Sequence, residues 1–124
     1  LFGVIIADIP GLIEGASEGK GLGFKFLRHV YRTRVLLHCI SADTEDCLST
    51  YTLVRKELDS YSHELSLKDE YVLLTKTDMI SPEEIAQKKA IFEKMGKKVL
   101  AVSIIDDASV KDLSDFLVKN LRNV

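Results

Sequence analysis

Cysteine, long apolar runs and an excess of either charge are scarce in this chain, and each scarcity removes a class of function. The two cysteines, Cys39 and Cys47, lack metal-ligand spacing and are too few to staple a small scaffold. Cys39 falls inside an apolar run, where a small buried thiol is expected, and a reducing, cytoplasmic compartment fits that reading. His29, His38 and His63 are scattered, with no pair at metal spacing. No apolar run approaches the roughly 20 residues that cross a bilayer, and no signal-peptide pattern is visible. Seventeen basic against 19 acidic residues leave a net charge of −2, which gives no general attraction to nucleic acid or anionic lipid. The local cluster Lys25, Arg28, Arg32 and Arg34 reads as a solvated helix face, with an RNA-facing patch as the alternative.

What is present suits one domain at most. At 124 residues with 46% hydrophobic content, the chain can bury a modest core but is small for an α/β enzyme. Four short, continuous apolar runs recur at Phe2 to Ala7, Val35 to Ile40, Tyr71 to Leu74 and Val99 to Val102, as strands buried on both faces read. Helical patterns lie between them. Phe26, Leu27, Val30 and Tyr31 share one face of the first, and Leu48, Tyr51, Val54, Leu58, Tyr61 and Leu65 step along the second. A third begins at Ser81 with Pro82 and Glu84, carries Ile85, Phe92 and Met95, and ends at Gly96. The last is expected to open on a Ser109 and Asp112 box, with Val110, Leu113, Phe116, Leu117 and Leu121 on its apolar side. Strands alternating with helices predict an α/β fold, a mainly parallel sheet with helices on both faces in three layers.

Chemistry gathers at the carboxyl ends of these strands, where an open parallel sheet binds its ligand. They read Asp8, Ser41-Ala42-Asp43, Thr75-Lys76-Thr77-Asp78 and Ser103. Asp8-Ile9-Pro10-Gly11 follows the first strand, and a glycine-dense loop continues to Gly23. A carboxylate there can hold Mg²⁺ or its water, the Gly11 amide can meet a phosphate oxygen, and the glycines let the loop move. A fixed carboxylate at Asp78 can accept the ring N–H and the exocyclic amine of guanine, donors that adenine lacks in that register. Lys76 can lay its methylene stem across the base.

In that order these motifs resemble the translation-factor class of GTPases, and within it the Obg family of ribosome-associated GTPases. The resemblance is carried by Asp8-Ile9-Pro10-Gly11-Leu12-Ile13-Glu14-Gly15-Ala16, Gly19-Lys20-Gly21-Leu22-Gly23, Phe26-Leu27-Arg28-His29 and Arg32-Thr33-Arg34-Val35-Leu36-Leu37-His38. Glu57-Leu58, Tyr61 and Glu64-Leu65 extend it over nearly the whole chain. It implies a GTP- and GDP-binding hydrolase acting with Mg²⁺ in large ribosomal subunit assembly, with the subunit or its rRNA as partner. By this resemblance Asp8 would hold Mg²⁺ through water and Gly11 would sense the γ-phosphate. Thr75, Lys76 and Asp78 would surround guanine, and the turn at Ser103-Ile104 would offer a backbone N–H to the guanine carbonyl oxygen. Leu12 stands where many such enzymes orient water with glutamine, so slow intrinsic hydrolysis is expected, and no catalytic residue is identified.

Three departures are visible. Thr75 stands where the family has asparagine, and Ile104 where a small residue is expected. No phosphate-binding P-loop is present: Gly15-Ala16-Ser17-Glu18-Gly19-Lys20-Gly21 is one residue short and lacks the metal-binding hydroxyl. Residues 1–124 are therefore expected to be part of a GTPase domain whose central P-loop strand is absent. Such a piece would be inactive by itself and capable of self-association through the incomplete sheet. The alternative is a degenerate GTPase-like module that binds a protein or RNA partner without nucleotide.

Overall fold

The computed structural model describes Ile6, residues 34–61 and residues 63–121. The strand expected at Phe2 to Ala7, the glycine loop and the helix around Phe26 to Tyr31 lie outside the described residues, Ile6 apart. Three strands, β1 (Val35–Ser41), β2 (Asp69–Thr75) and β3 (Lys98–Ala101), form a parallel sheet in the order β1-β2-β3. The helices are α1 (Cys47–Tyr61), the short α2 (His63–Ser66), α3 (Pro82–Glu93) and α4 (Asp107–Leu121). A 3₁₀ turn, Thr77–Met79, follows β2. No helix among the described residues is long and apolar enough to cross a membrane.

Register fixes which side chains share a face. Ile40 pairs with Leu74 and Val72 with Val99, so these four side chains point the same way. They form the core with Tyr51 of α1 and Phe92 of α3, and Val72, Leu74 and Phe92 are fully buried. Burial of side chains of this size contributes about 1.5–3 kcal/mol each. Tyr71 and Lys98, also partners, point to the opposite face and both meet Phe116 of α4; the two aromatic rings are 5.1 Å apart, edge to face. Helices thus cover both faces of a parallel sheet, and the α/β expectation holds.

Only β2 is buried on both faces, through Val72, Leu73 and Leu74. Cys39 pairs with Leu73 on the α4 side, but α4 sits over β3, so Cys39 is exposed. The buried thiol is Cys47, which contradicts the expectation for Cys39.

The ends of α3 follow the sequence. Ser81 accepts the Glu84 amide at 3.2 Å, and Pro82 takes the first helical position. Gly96, at φ +80°, closes a Schellman motif: its amide reaches Glu93 O and that of Lys97 reaches Phe92 O. Met95 lies in this closing turn and is exposed, and so are Leu48 and Val110, each counted on an apolar stripe above. The Ser109 box is also corrected. The α4 helix begins earlier, where Asp106 Oδ1 accepts the Ala108 amide at 3.2 Å. Ser109 is engaged elsewhere.

Near the amino end of β2, Glu70 is buried to 2% side-chain exposure and met by donors from four side chains. Tyr51 OH donates to it at 2.5 Å, and His38 Nδ1 and Arg55 Nη1 each lie 3.2 Å away. Lys97 Nζ lies at 3.4 Å. Arg55 is held in turn by Ser66 O at 2.6 Å. Burial pushes the Glu70 carboxyl up, but the bonds from His38 and Tyr51 and the charge of Arg55 outweigh it and hold the pKa at about 2. Burial, reinforced by the Glu70 carboxylate, pushes the Tyr51 phenol well above its ordinary range.

Removing this charge strands Arg55 and Lys97 beside a buried neutral group. Glu70→Gln is expected to cost about 3–5 kcal/mol in urea denaturation of the full gene product. A folded pKa of about 2 against an ordinary 4.5 means the stabilisation is present above pH 4.5 and lost as pH falls through 2. The gap between wild type and Glu70→Gln should therefore close over that window, and a gap constant with pH would contradict the assignment.

Candidate functional site

Parallel strands bring the segments that follow them to one edge of the sheet, and here those segments are laced together. The Ala42 amide donates to Thr75 O at 2.7 Å, Val102 N to Leu74 O at 2.9 Å and Thr77 N to Val102 O at 3.3 Å. Lys88 of α3 reaches across this edge, its ammonium donating to Ala42 O at 2.5 Å and Thr44 O at 2.8 Å. Next to it, the Ser41 hydroxyl and, more weakly, the charges of Lys76 and Lys88 hold the exposed Asp43 carboxyl below its ordinary range.

The chain leaves β2 through Lys76, at φ 55° and ψ 40°, the one non-glycine residue in the left-handed region among the described residues. Leaving the extended conformation there ends the strand abruptly and opens the turn that carries Asp78. Asp78 is exposed, yet one of its oxygens is fixed: Oδ1 accepts the Ser103 hydroxyl at 2.7 Å. Ser103 itself is buried to 3% exposure.

The turn after β3 spends most of its amides internally. Ser103 N donates to Ser109 Oγ at 3.0 Å, Ile105 N to Ser103 Oγ at 3.4 Å and Asp106 N to Ser103 O at 3.0 Å. Among the described residues nothing accepts from the Ile104 amide, and Ile104 is 89% exposed. A fixed carboxylate and an unbonded amide on one edge of the sheet complement a planar ligand that carries two donors and one acceptor on a single edge. Thr75 Oγ1 only approaches Ile40 O, at 3.5 Å.

Thr75, Lys76, Asp78, Ser103 and Ile104, named from sequence, thus meet at one edge. Asp8 and Gly11 lie outside the described residues. Among the described residues no group of three or more acids, histidines or cysteines could hold a metal ion. The sequence reading missed Lys88 and gave Ser109 only a capping role. Lys88 was detectable, since it falls between Ile85 and Phe92 on the apolar stripe of α3, where a lysine needs a polar destination.

Comparison with known proteins adds a second line. The family model described as "50S ribosome-binding GTPase" matches residues 2–76. Over 106 residues, 86% of this chain, the sequence is 51% identical to the GTPase Obg of Anaplasma phagocytophilum (strain HZ), of which the match covers 30%.

The chain belongs to the Obg family of GTPases.

Other Obg relatives agree over more of its length. GTPase Obg of Rickettsia bellii (strain RML369-C) is 41% identical over 120 residues, 96% of the chain and 37% of that protein. The Rickettsia massiliae (strain Mtu5) protein of the same name is 42% identical over 120 residues, 96% of the chain and 36% of that protein. The chain spans about a third of the length of these relatives.

Within this Obg-family chain, Lys88 ties the loop after β1 to α3 through two charge-assisted bonds. Lys88→Met is expected to lower stability by about 1.5–3 kcal/mol and to speed hydrogen exchange at the Ala42 amide. Unchanged exchange there would show that the tether does not hold the loop.

Proposed function

We propose that the protein carrying this chain binds guanine nucleotide at the carboxyl edge of the sheet and hydrolyses GTP to GDP. In this reading residues 1–124 are part of one GTPase domain. Asp78 accepts the guanine ring N–H and exocyclic amine, the Ile104 amide donates to the guanine carbonyl, and the Lys76 stem lies along the base. The observation that carries the reading is the Ser103–Asp78 bond at 2.7 Å on the same edge as an Ile104 amide that has no partner among the described residues. Asp8 is the residue proposed to hold Mg²⁺ and Gly11 the one to meet the γ-phosphate. The ribosomal large subunit as partner is supported by the family description, and a cytoplasmic setting suits that role.

Asp78→Asn tests the base contact, because an amide presents a donor where the carboxylate accepts. Xanthine carries a carbonyl where guanine carries its amine. The variant is expected to lose about 100-fold or more in GDP affinity and to gain xanthosine diphosphate binding. Equal loss of both nucleotides would refute the base-reading role.

Thr75 favours a second reading, an interaction module without nucleotide, since its hydroxyl offers less bonding than the family's asparagine. Failure of the wild-type gene product to bind GDP in the presence of Mg²⁺ would favour it. The 124-residue chain by itself contains no P-loop motif and is proposed to bind GDP no better than weakly.

A further inference from the structure

The structure assigns to Ser109 the positioning of the turn that carries the exposed Ile104, whose amide has no acceptor among the described residues. Its hydroxyl accepts from Ser103 N at 3.0 Å and lies 3.1 Å from Ser103 O and 2.8 Å from Asp106 O, so one side chain grips both ends of the turn. Ser103 is buried, and its amide has little access to water as a replacement partner. Ser109 belongs to the first turn of α4, and α4 is anchored to the sheet by Phe116 against Tyr71 and by buried Leu117. The hydroxyl therefore transfers the rigidity of a docked helix to a turn that otherwise carries the exposed residues Ile104, Ile105 and Asp106.

The peptide groups on either side of Ile104 are pinned, before it by Asp106 N and Ser109 Oγ on Ser103 O, at 3.0 and 3.1 Å, and after it by Ile105 N to Ser103 Oγ. What remains for a ligand is the Ile104 N–H, with its direction set. Ser109 does not touch the ligand. It acts through the turn on the contact to the base's C6 acceptor, whereas the donors are met by Asp78 from the turn after β2. This assignment rests on the guanine reading proposed above.

Two analogues separate the contacts in the full gene product with Mg²⁺. In 6-thio-GDP a larger and weaker acceptor, sulfur, replaces the C6 oxygen, whereas IDP lacks only the C2 amine that faces Asp78. Wild type is expected to prefer GDP over 6-thio-GDP by about 3–10-fold, the value of one neutral hydrogen bond. Ser109→Ala should bring that ratio close to 1, leave the GDP-to-IDP ratio unchanged and speed exchange of the Ser103 amide. Ser109→Thr, which keeps the hydroxyl, should restore the preference. If Ser109→Ala does not fold, Ser109→Cys keeps the size, weakens the bond and serves the same comparison. An unchanged 6-thio-GDP ratio, or equal loss in both ratios, would overturn the positioning role while the guanine reading stands. No GDP binding by wild type would overturn both.

Discussion

The burial of Glu70 fixes the alignment on which everything downstream depends. Its carboxylate faces Tyr51 and Arg55 from α1, His38 from β1 and Lys97 at the entrance to β3. A slip of β2 by one residue would turn Glu70 to the opposite face and leave those donors, Arg55 and Lys97 among them, around a vacated centre. Apolar contacts tolerate small shifts, since any buried methyl group is much like another. An acid with four assigned donors does not. The cluster therefore selects one register out of several that would bury comparable area.

Register at the amino end of β2 becomes geometry at its carboxyl end, five residues on. With Ser41 opposite Thr75, the next amide on β1's side, Ala42, bonds Thr75 O, and Lys88 then clamps Ala42 from α3. The same alignment brings Val102 to Leu74 and Thr77 to Val102, so Asp78 comes within reach of Ser103. Structure and candidate site occupy opposite ends of one strand. The buried charge cluster supplies rigidity at one end, and the exposed Asp78 and Ile104 are left available at the other.

Much of this was legible in the residues themselves. The three described strands, the Ser81 start and Gly96 end of α3, and the gathering of Thr75, Asp78 and Ser103 follow from local chemistry that neighbours do not override. The errors have a common cause, which is that a one-dimensional pattern does not say which face a partner covers. Cys39 reads as buried because its run is apolar, but α4 docks over β3 and leaves it exposed. Ser109 and Asp112 have capping-box spacing, yet Asp106 captures the helix start and frees Ser109 for Ser103. Glu70 looks like an ordinary strand-edge acid until three separate segments converge on it.

The two departures from the family pattern at this edge carry unequal weight, and the geometry says which matters. Ile104 would engage a base through its peptide N–H, a group that every residue but proline supplies. Its side chain is 89% exposed, so the added bulk clashes with nothing in the protein and offers an apolar surface beside the site. Thr75 differs in kind. The asparagine expected from the family resemblance carries two donors and an acceptor at the end of a longer side chain. The hydroxyl instead stays within its own strand pair, with Ile40 O at 3.5 Å, at the outer limit of a bond. Substitution at Ile104 changes the shape of the surface, whereas substitution at Thr75 removes hydrogen-bonding capacity from the middle of the edge. In the guanine reading proposed above, Thr75 is therefore the departure that limits affinity, more than Ile104.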